Sequence, residues 1–207
     1  MKQEFKIKKL IEASEQLLHL KLDENVANEI LSLSQVRMYK KGDTIVGINE
    51  KLIYVGFVLK GIVRSYYLDS NGNEITKNFH KEYFMFMDEG LIGYEKSLCA
   101  YETLEDSNIM FLEIRKLKEL IKKNEKFKDL YIAALESGIR YKIYRESEFL
   151  MNNATERYLQ FKKNYPELVN RVKQTYISTY LGIAPESLSR IRKALKEVTD
   201  TEGEVYE

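Results

Sequence analysis

The sequence predicts an α+β fold: a jelly-roll β-barrel preceded by short helices, then one long helix, then a C-terminal helix-turn-helix of winged-helix type with a reduced wing. Three observations predict it. From Lys40 to His80, β-branched and aromatic runs are punctuated by Gly42, Gly47, Gly56, Gly61 and Gly72, the pattern of short strands joined by turns. After Ile114 the glycines thin out and a helical pattern runs from about Leu117 to Leu150. In LGIAPESLSRIRKAL, residues 181–195, a glycine break is followed by Pro185, a residue suited to the first position of a helix. The implied domains are 1–116 for the barrel with its N-terminal helices, 117–152 for the long helix and 153–207 for the C-terminal part.

Residues 5–33 set apolar positions at helical spacing, with Leu10, Ile11, Leu17, Leu18, Val26, Ile30 and Leu31 as the expected buried set of one or two helices. Asn71-Gly72, between IVRSYYL and EITKNF, marks a hairpin with a type I′ turn, because both residues tolerate positive φ. Further strands are expected at YFMFM and IMFLEI, giving about eight in a closed barrel or double-sheet jelly roll.

In the long helix, expected to break near Asn124, Phe127, Tyr131, Ala134, Gly138 and Tyr141 recur at spacings of four and three, with Leu130, Leu135 and Ile139 beside them. The stripe is wider than one neighbour requires. It predicts packing on the barrel with one side and on a second copy of the chain with the other, a homodimer. Asn152-Asn153 is the expected boundary and hinge, with Asn153 and Glu156 spaced as a capping box. TERYLQFKKNY then forms a helix that ends before Pro166.

The C-terminal segment reads as a helix from about Thr175 to Leu181, a turn at Gly182 and a second helix from Pro185. On that second helix Glu186, Ser189, Arg190 and Lys193 fall within about 100° of arc, opposite Ala184, Leu188, Ile191 and Leu195. Such a stripe suits the DNA major groove. Arginine donates both fork hydrogens to guanine, glutamate accepts from cytosine N4, and serine serves a base or a phosphate. Ser187, Arg192 and Thr175 complete the expected DNA-contacting set. The competing reading is an ordinary surface pair of Glu186 with Arg190, worth about 0.2–0.5 kcal/mol.

Charge supports the first reading. Residues 155–196 carry nine basic side chains (Arg157, Lys162, Lys163, Arg171, Lys173, Arg190, Arg192, Lys193 and Lys196) against Glu156, Glu167 and Glu186, while the acidic tail hides this block in a whole-chain charge of +1. An anionic partner is implied, nucleic acid above all. The opening MKQEFKIKKLIEASEQLLHL is broken by charges, so neither a signal peptide nor a membrane span is expected, and the protein is placed in the cytoplasm. Cys99 is the single cysteine and His19 and His80 the two histidines, which argues against a metal site, iron–sulfur cluster or haem; no cofactor is expected. An enzyme built on a jelly roll, like the cupins, would need clustered histidines that this chain lacks.

KKGD at 40–43, FVLKGIVRSYY at 57–67 and the closing I-x-x-x-L-G-I-x-x-E-x-L-S-R pattern at 177–190 resemble the Crp/Fnr (cyclic-AMP receptor protein/fumarate-nitrate regulator) superfamily of bacterial transcription factors. The resemblance implies a cyclic-nucleotide-binding-like β domain that senses an effector, a homodimer on palindromic promoter DNA, and RNA polymerase as a further partner. It implies TTGA/TCAA-type half-sites read by Glu186, Ser189 and Arg190. The family's phosphate-gripping arginine is missing, since no arginine lies between Arg64 and Arg115, and residues 86–107 are acidic. The effector is therefore expected not to be a cyclic nucleotide, with Glu89, Cys99 and Tyr101 as candidate pocket residues. Two alternatives stand beside this: a ligandless β domain with constitutive DNA binding, and a redox switch through Cys99. Ala184 replaces the usual Ser or Thr cap, costing about 1 kcal/mol, and KEVTDTEGEVYE offers little for a wing.

Overall fold

The computed structural model describes residues 3–203, with side chains described for 7–197. The chain divides into two compact units. One comprises the chain up to Tyr67 with Lys77–Ile143; the other comprises Leu68–Thr76 with the chain from Tyr144 onward. The division differs from the expected one: it falls inside the long helix rather than at Asn152-Asn153.

The first unit opens with α1 (Gln3–Leu18) and α2 (Glu24–Leu33), the latter capped by Asp23, whose side chain accepts from the Asn25 N–H at 2.9 Å. Leu10, Val26 and Ile30 are buried as expected, while Ile11, Leu17, Leu18 and Leu31 are only half-buried. Eight strands follow among the described residues: β1 (Ser34–Tyr39), β2 (Thr44–Val46), β3 (Tyr54–Lys60), β4 (Val63–Leu68), β5 (Glu74–His80), β6 (Met85–Phe86), β7 (Ala100–Thr103) and β8 (Ser107–Glu113). They form two four-stranded sheets, β1-β8-β3-β6 and β2-β7-β4-β5. In the first sheet β8 is central: Met110 faces Val36 of β1 and Phe57 of β3 in antiparallel register. Gly56 leaves room where a Cβ would collide with the Phe86 ring.

The turn between β4 and β5 is not the expected type I′. Gly72 has φ of +81° but Asn71 is not in the positive region, because Asp69 organises a longer loop. Its Oδ1 accepts from the N–H groups of Asn71 and Asn73, each at 2.8 Å, and the Gly72 N–H reaches the Asp69 carbonyl at 3.1 Å.

The helical stretch breaks at Asn124, giving α3 (Ile114–Lys123) and α4 (Glu125–Met151). Phe127 corrects one expectation. It is 1% exposed, packed in a core with Ile30, Met110 and Leu112, so it anchors α4 within its own chain. Tyr131, Ala134, Gly138 and Tyr141 are half-buried, and the Tyr141 hydroxyl donates to Asn78 Oδ1 at 3.0 Å. The exposed apolar stripe is the neighbouring one: Ile132, Leu135, Ile139 and Ile143.

The second unit contains the end of α4, then α5 (Ala154–Asn164), α6 (Leu168–Arg171), α7 (Gln174–Leu181) and α8 (Pro185–Gly203). The capping box forms: Asn153 Oδ1 accepts from the N–H groups of Thr155 and Glu156, and Glu156 accepts from the Asn153 N–H at 2.8 Å. Tyr158, Phe161, Leu168, Val172, Ile177, Tyr180, Leu181 and Leu188 are its buried apolar residues. Residues 196–203, where a wing would begin, continue α8, and the last four residues lie outside the described part.

Candidate nucleic-acid interface

Gly182 takes φ of +66° and ends α7, its N–H bonded to the carbonyls of Ser178 and Thr179, while the Ile183 N–H returns to Ser178. This closure lets the chain turn within three residues and start α8 at Pro185. Leu188, 1% exposed, fastens α8 to the core, with Ile191 and Leu195 half-buried beside it. Ala184, expected on the packed side, is exposed because it precedes the first helical turn.

Glu186, Ser189, Arg190, Arg192 and Lys193 are all exposed on α8, Thr175 is exposed on α7, and Ser187 is half-buried. The simple surface-pair reading does not describe the geometry: Arg190 donates to Ser187 Oγ at 3.3 Å, and among the described residues it forms no ion pair with Glu186. Lys193 lies 3.9 Å from Glu197, a pair exposed on both sides and worth little. Not every basic residue of the 155–196 block faces outward. Arg157 donates to the Leu181 carbonyl at 3.0 Å and the Asn152 carbonyl at 2.7 Å. A lysine there could not reach both carbonyls with a planar fork.

The three expected pocket residues do come together, inside the first unit. The Tyr101 hydroxyl donates to the Glu89 carboxylate, 2.8 Å from Oε1 and 2.9 Å from Oε2, and Cys99 Sγ lies 4.0 Å from the same carboxylate. Lys77, which sequence reasoning missed, brings its Nζ to 3.7 Å from Cys99 Sγ. It arrives from β5, which shares a sheet with β7, a proximity that no local spacing records. Burial opposes the Lys77 ammonium, but the acidic Cys99 and Glu89 groups outweigh it and its pKa rises. Burial pushes the Cys99 thiol up, against the pull of Lys77. Burial and the Glu89 charge likewise raise Tyr101, keeping its phenol protonated. The acidity of 86–107 is partly neutralised: Glu102 pairs at 2.6 Å with Arg64, fully buried on β4, and Asp106 pairs with Lys40 at 2.8 Å.

Aromatic rings fill the space around this cluster. Phe86, Tyr101 and Phe111 are 2% exposed or less, with ring centroids 5.4 Å apart for Phe86–Tyr101 and 6.4 Å for Phe86–Phe111. His80 packs at 5.6 Å from Phe86, with Nε2 3.1 Å from Ser65 Oγ and Nδ1 3.2 Å from the Met85 carbonyl. Burial holds its pKa down to about 3. Among the described residues no group of three or more His, Cys, Asp or Glu side chains is placed to hold a metal ion, and no helix is long and apolar enough to cross a membrane.

Comparison with known proteins adds to this geometry. Residues 36–124 match the cyclic nucleotide-binding domain family. FixK2 from Bradyrhizobium japonicum is similar in structure, with a TM-score of 0.71 at 22% identity over 80% of this chain and 86% of that one. CLP of Xanthomonas campestris, a c-di-GMP-responsive global regulator, gives 0.69 at 14% identity over 86% and 93% of the two chains. The catabolite activator protein of Thermus thermophilus gives 0.57 at 19% identity over 88% and 87%. At these identities the likeness is one of fold. No curated protein matches the sequence.

Proposed function

We propose that this chain is a transcription regulator of the Crp/Fnr type, which binds a palindromic promoter site as a homodimer and reads it with α8. The observation that carries the reading is the α7–Gly182–α8 turn, in which buried Leu188 fixes the helix and leaves Glu186, Ser189, Arg190 and Lys193 exposed in one stripe. In the major groove Arg190 donates to guanine O6 and N7, Glu186 accepts from cytosine N4, and Ser189 bonds a base edge or phosphate. Lys193, Arg192, Ser187 and Thr175 serve the backbone, fixing register. Two copies place their helices roughly 34 Å apart, one turn of duplex, which requires half-sites at that spacing. The stripe of Ile132, Leu135, Ile139 and Ile143 offers the apolar surface for the second copy.

Selection of duplexes from a randomised pool tests the assignment. Wild type is expected to enrich a TTGA/TCAA-like palindrome. Arg190→Ala and Glu186→Ala each lose about 1–3 kcal/mol of discrimination at one base pair per half-site and leave the others intact. Uniform weakening across all positions by both variants would assign them to phosphates and overturn the base-reading role.

For the β domain, the filled interior favours the reading without a ligand. Both Glu89 oxygens are engaged by Tyr101, and Phe86, Tyr101, Met87 and Phe111 are packed into the core. DNA binding is then constitutive, and neither a small-molecule effector nor a Cys99 redox switch is required. A fully buried thiol with a raised pKa is a poor nucleophile. An unchanged affinity for the selected palindrome with cyclic nucleotides present, or after peroxide treatment, is the result this reading requires.

A further inference from the structure

We infer that Arg145, Phe149 and Arg157 position the α7–α8 pair by locking it to the last turns of α4, and that the corner at Asn152-Asn153 is fixed and is not the hinge. The inference rests on the proposed reading of DNA by α8.

Two helices that must be held at a set angle need contacts at the turn between them, and three side chains supply these within the second unit. The Arg145 guanidinium lies 3.8 Å from the Tyr180 ring centroid and 4.7 Å from that of Phe149, and it donates to the Tyr180 carbonyl at 2.7 Å. Arg157 lies 5.2 Å from the Phe149 ring and donates to the Leu181 and Asn152 carbonyls. Phe149 is thus flanked by two guanidiniums, each attracted to its face. The same ring abuts the turn itself, since a Cβ at Gly182 would stand 2.7 Å from Phe149 Cε1. Both arginines bond carbonyls in the last turn of α7, where the helix dipole is negative.

The corner is equally tied. The Asn152 N–H bonds the Glu148 carbonyl and its side chain donates to Glu148 Oε1 at 3.1 Å. The N–H groups of Asn153, Thr155, Glu156 and Arg157 all have acceptors within the corner. These bonds order each side of the corner, while the Arg145–Tyr180 and Arg157–Phe149 contacts cross it, so a swivel there would break the latter.

Hydrogen exchange on the full-length protein without DNA tests the fixed corner directly. The amides of Asn152, Asn153, Thr155 and Arg157 are expected to exchange at least about a hundredfold more slowly than in an unstructured chain. In Phe149→Ala they speed up at least about tenfold while Val58 and Ile109 keep their protection, and Phe149→Tyr restores the wild-type rates. Corner amides exchanging freely in wild type, or unmoved by Phe149→Ala, would overturn the inference. A second arm measures affinity for palindromes whose half-site spacing is varied by one or two base pairs. Phe149→Ala is expected to flatten the spacing preference severalfold with the same bases preferred. An unchanged spacing preference counts against the positioning role. If no duplex is enriched even by wild type, the DNA reading fails while the exchange arm still decides whether the corner is locked.

Discussion

Lowering the pH from 7 toward 3 is expected to destabilise the protein by up to about 5 kcal/mol through His80 alone. In the folded chain the ring stays neutral down to about pH 3, because burial and the nearby Lys77 charge oppose a second proton. Unfolded, it takes that proton near pH 6.5. Between these values the unfolded state binds more protons, so stability falls as the pH falls. Asp88 works in the other direction, since burial and Glu89 hold its carboxyl above the ordinary range. The measurement is therefore a difference: urea unfolding of wild type and His80→Gln from pH 7 to pH 4. The two stabilities should converge or cross as the pH drops, and parallel curves would show that His80 titrates normally in the folded state.

Phe127→Ala should cost about 3–5 kcal/mol in unfolding free energy, independent of protein concentration. The ring is enclosed by α2, β8 and neighbouring positions of its own helix, and its loss leaves a cavity in a core that has no second copy to fill it. Ile139→Glu should do the opposite: leave the unfolding of dilute protein nearly unchanged and shift sedimentation from dimer to monomer. A cost below about 1 kcal/mol for Phe127→Ala would mean that its pocket collapses or that the ring is not buried. The pair separates two stripes of one helix that lie side by side.

Those stripes show where the sequence was readable and where it was not. Helical spacing identified α4 and its break at Asn124, but periodicity counts turns without saying which neighbour lies on which side. Phe127 and Ile139 look alike until β8 is placed beneath one of them. The strand β1 was missed because Ser34 follows α2 with no glycine or proline between them and the polar–apolar alternation of Gln35 to Met38 is short; it does not mark a buried face, since Val36 and Met38 are exposed. Local chemistry was more legible: the Asn153 capping box, the Gly182 turn and the exposed stripe of α8 all depend on residues within a few positions of one another. The Asn71-Gly72 turn failed for a related reason, since Asp69, two residues outside the dipeptide, sets its geometry. At the interior cluster, Glu89, Cys99 and Tyr101 came from the family resemblance of residues 86–107, whereas Lys77 and Arg64 come from strands well before that segment.

The inward turn of Arg157 also bears on counterions. A duplex releases condensed cations only where a positive side chain sits against a phosphate, and the slope of log affinity against log salt counts those places at about 0.9 each. Arg157 is held at the carbonyls of Asn152 and Leu181. If α8 reads DNA as proposed, Arg157 adds to the long-range attraction for the duplex but displaces no ion from it. The ionic-strength dependence of binding should therefore be shallower than the nine basic side chains of residues 155–196 suggest, and the footprint on the phosphates smaller than the charge.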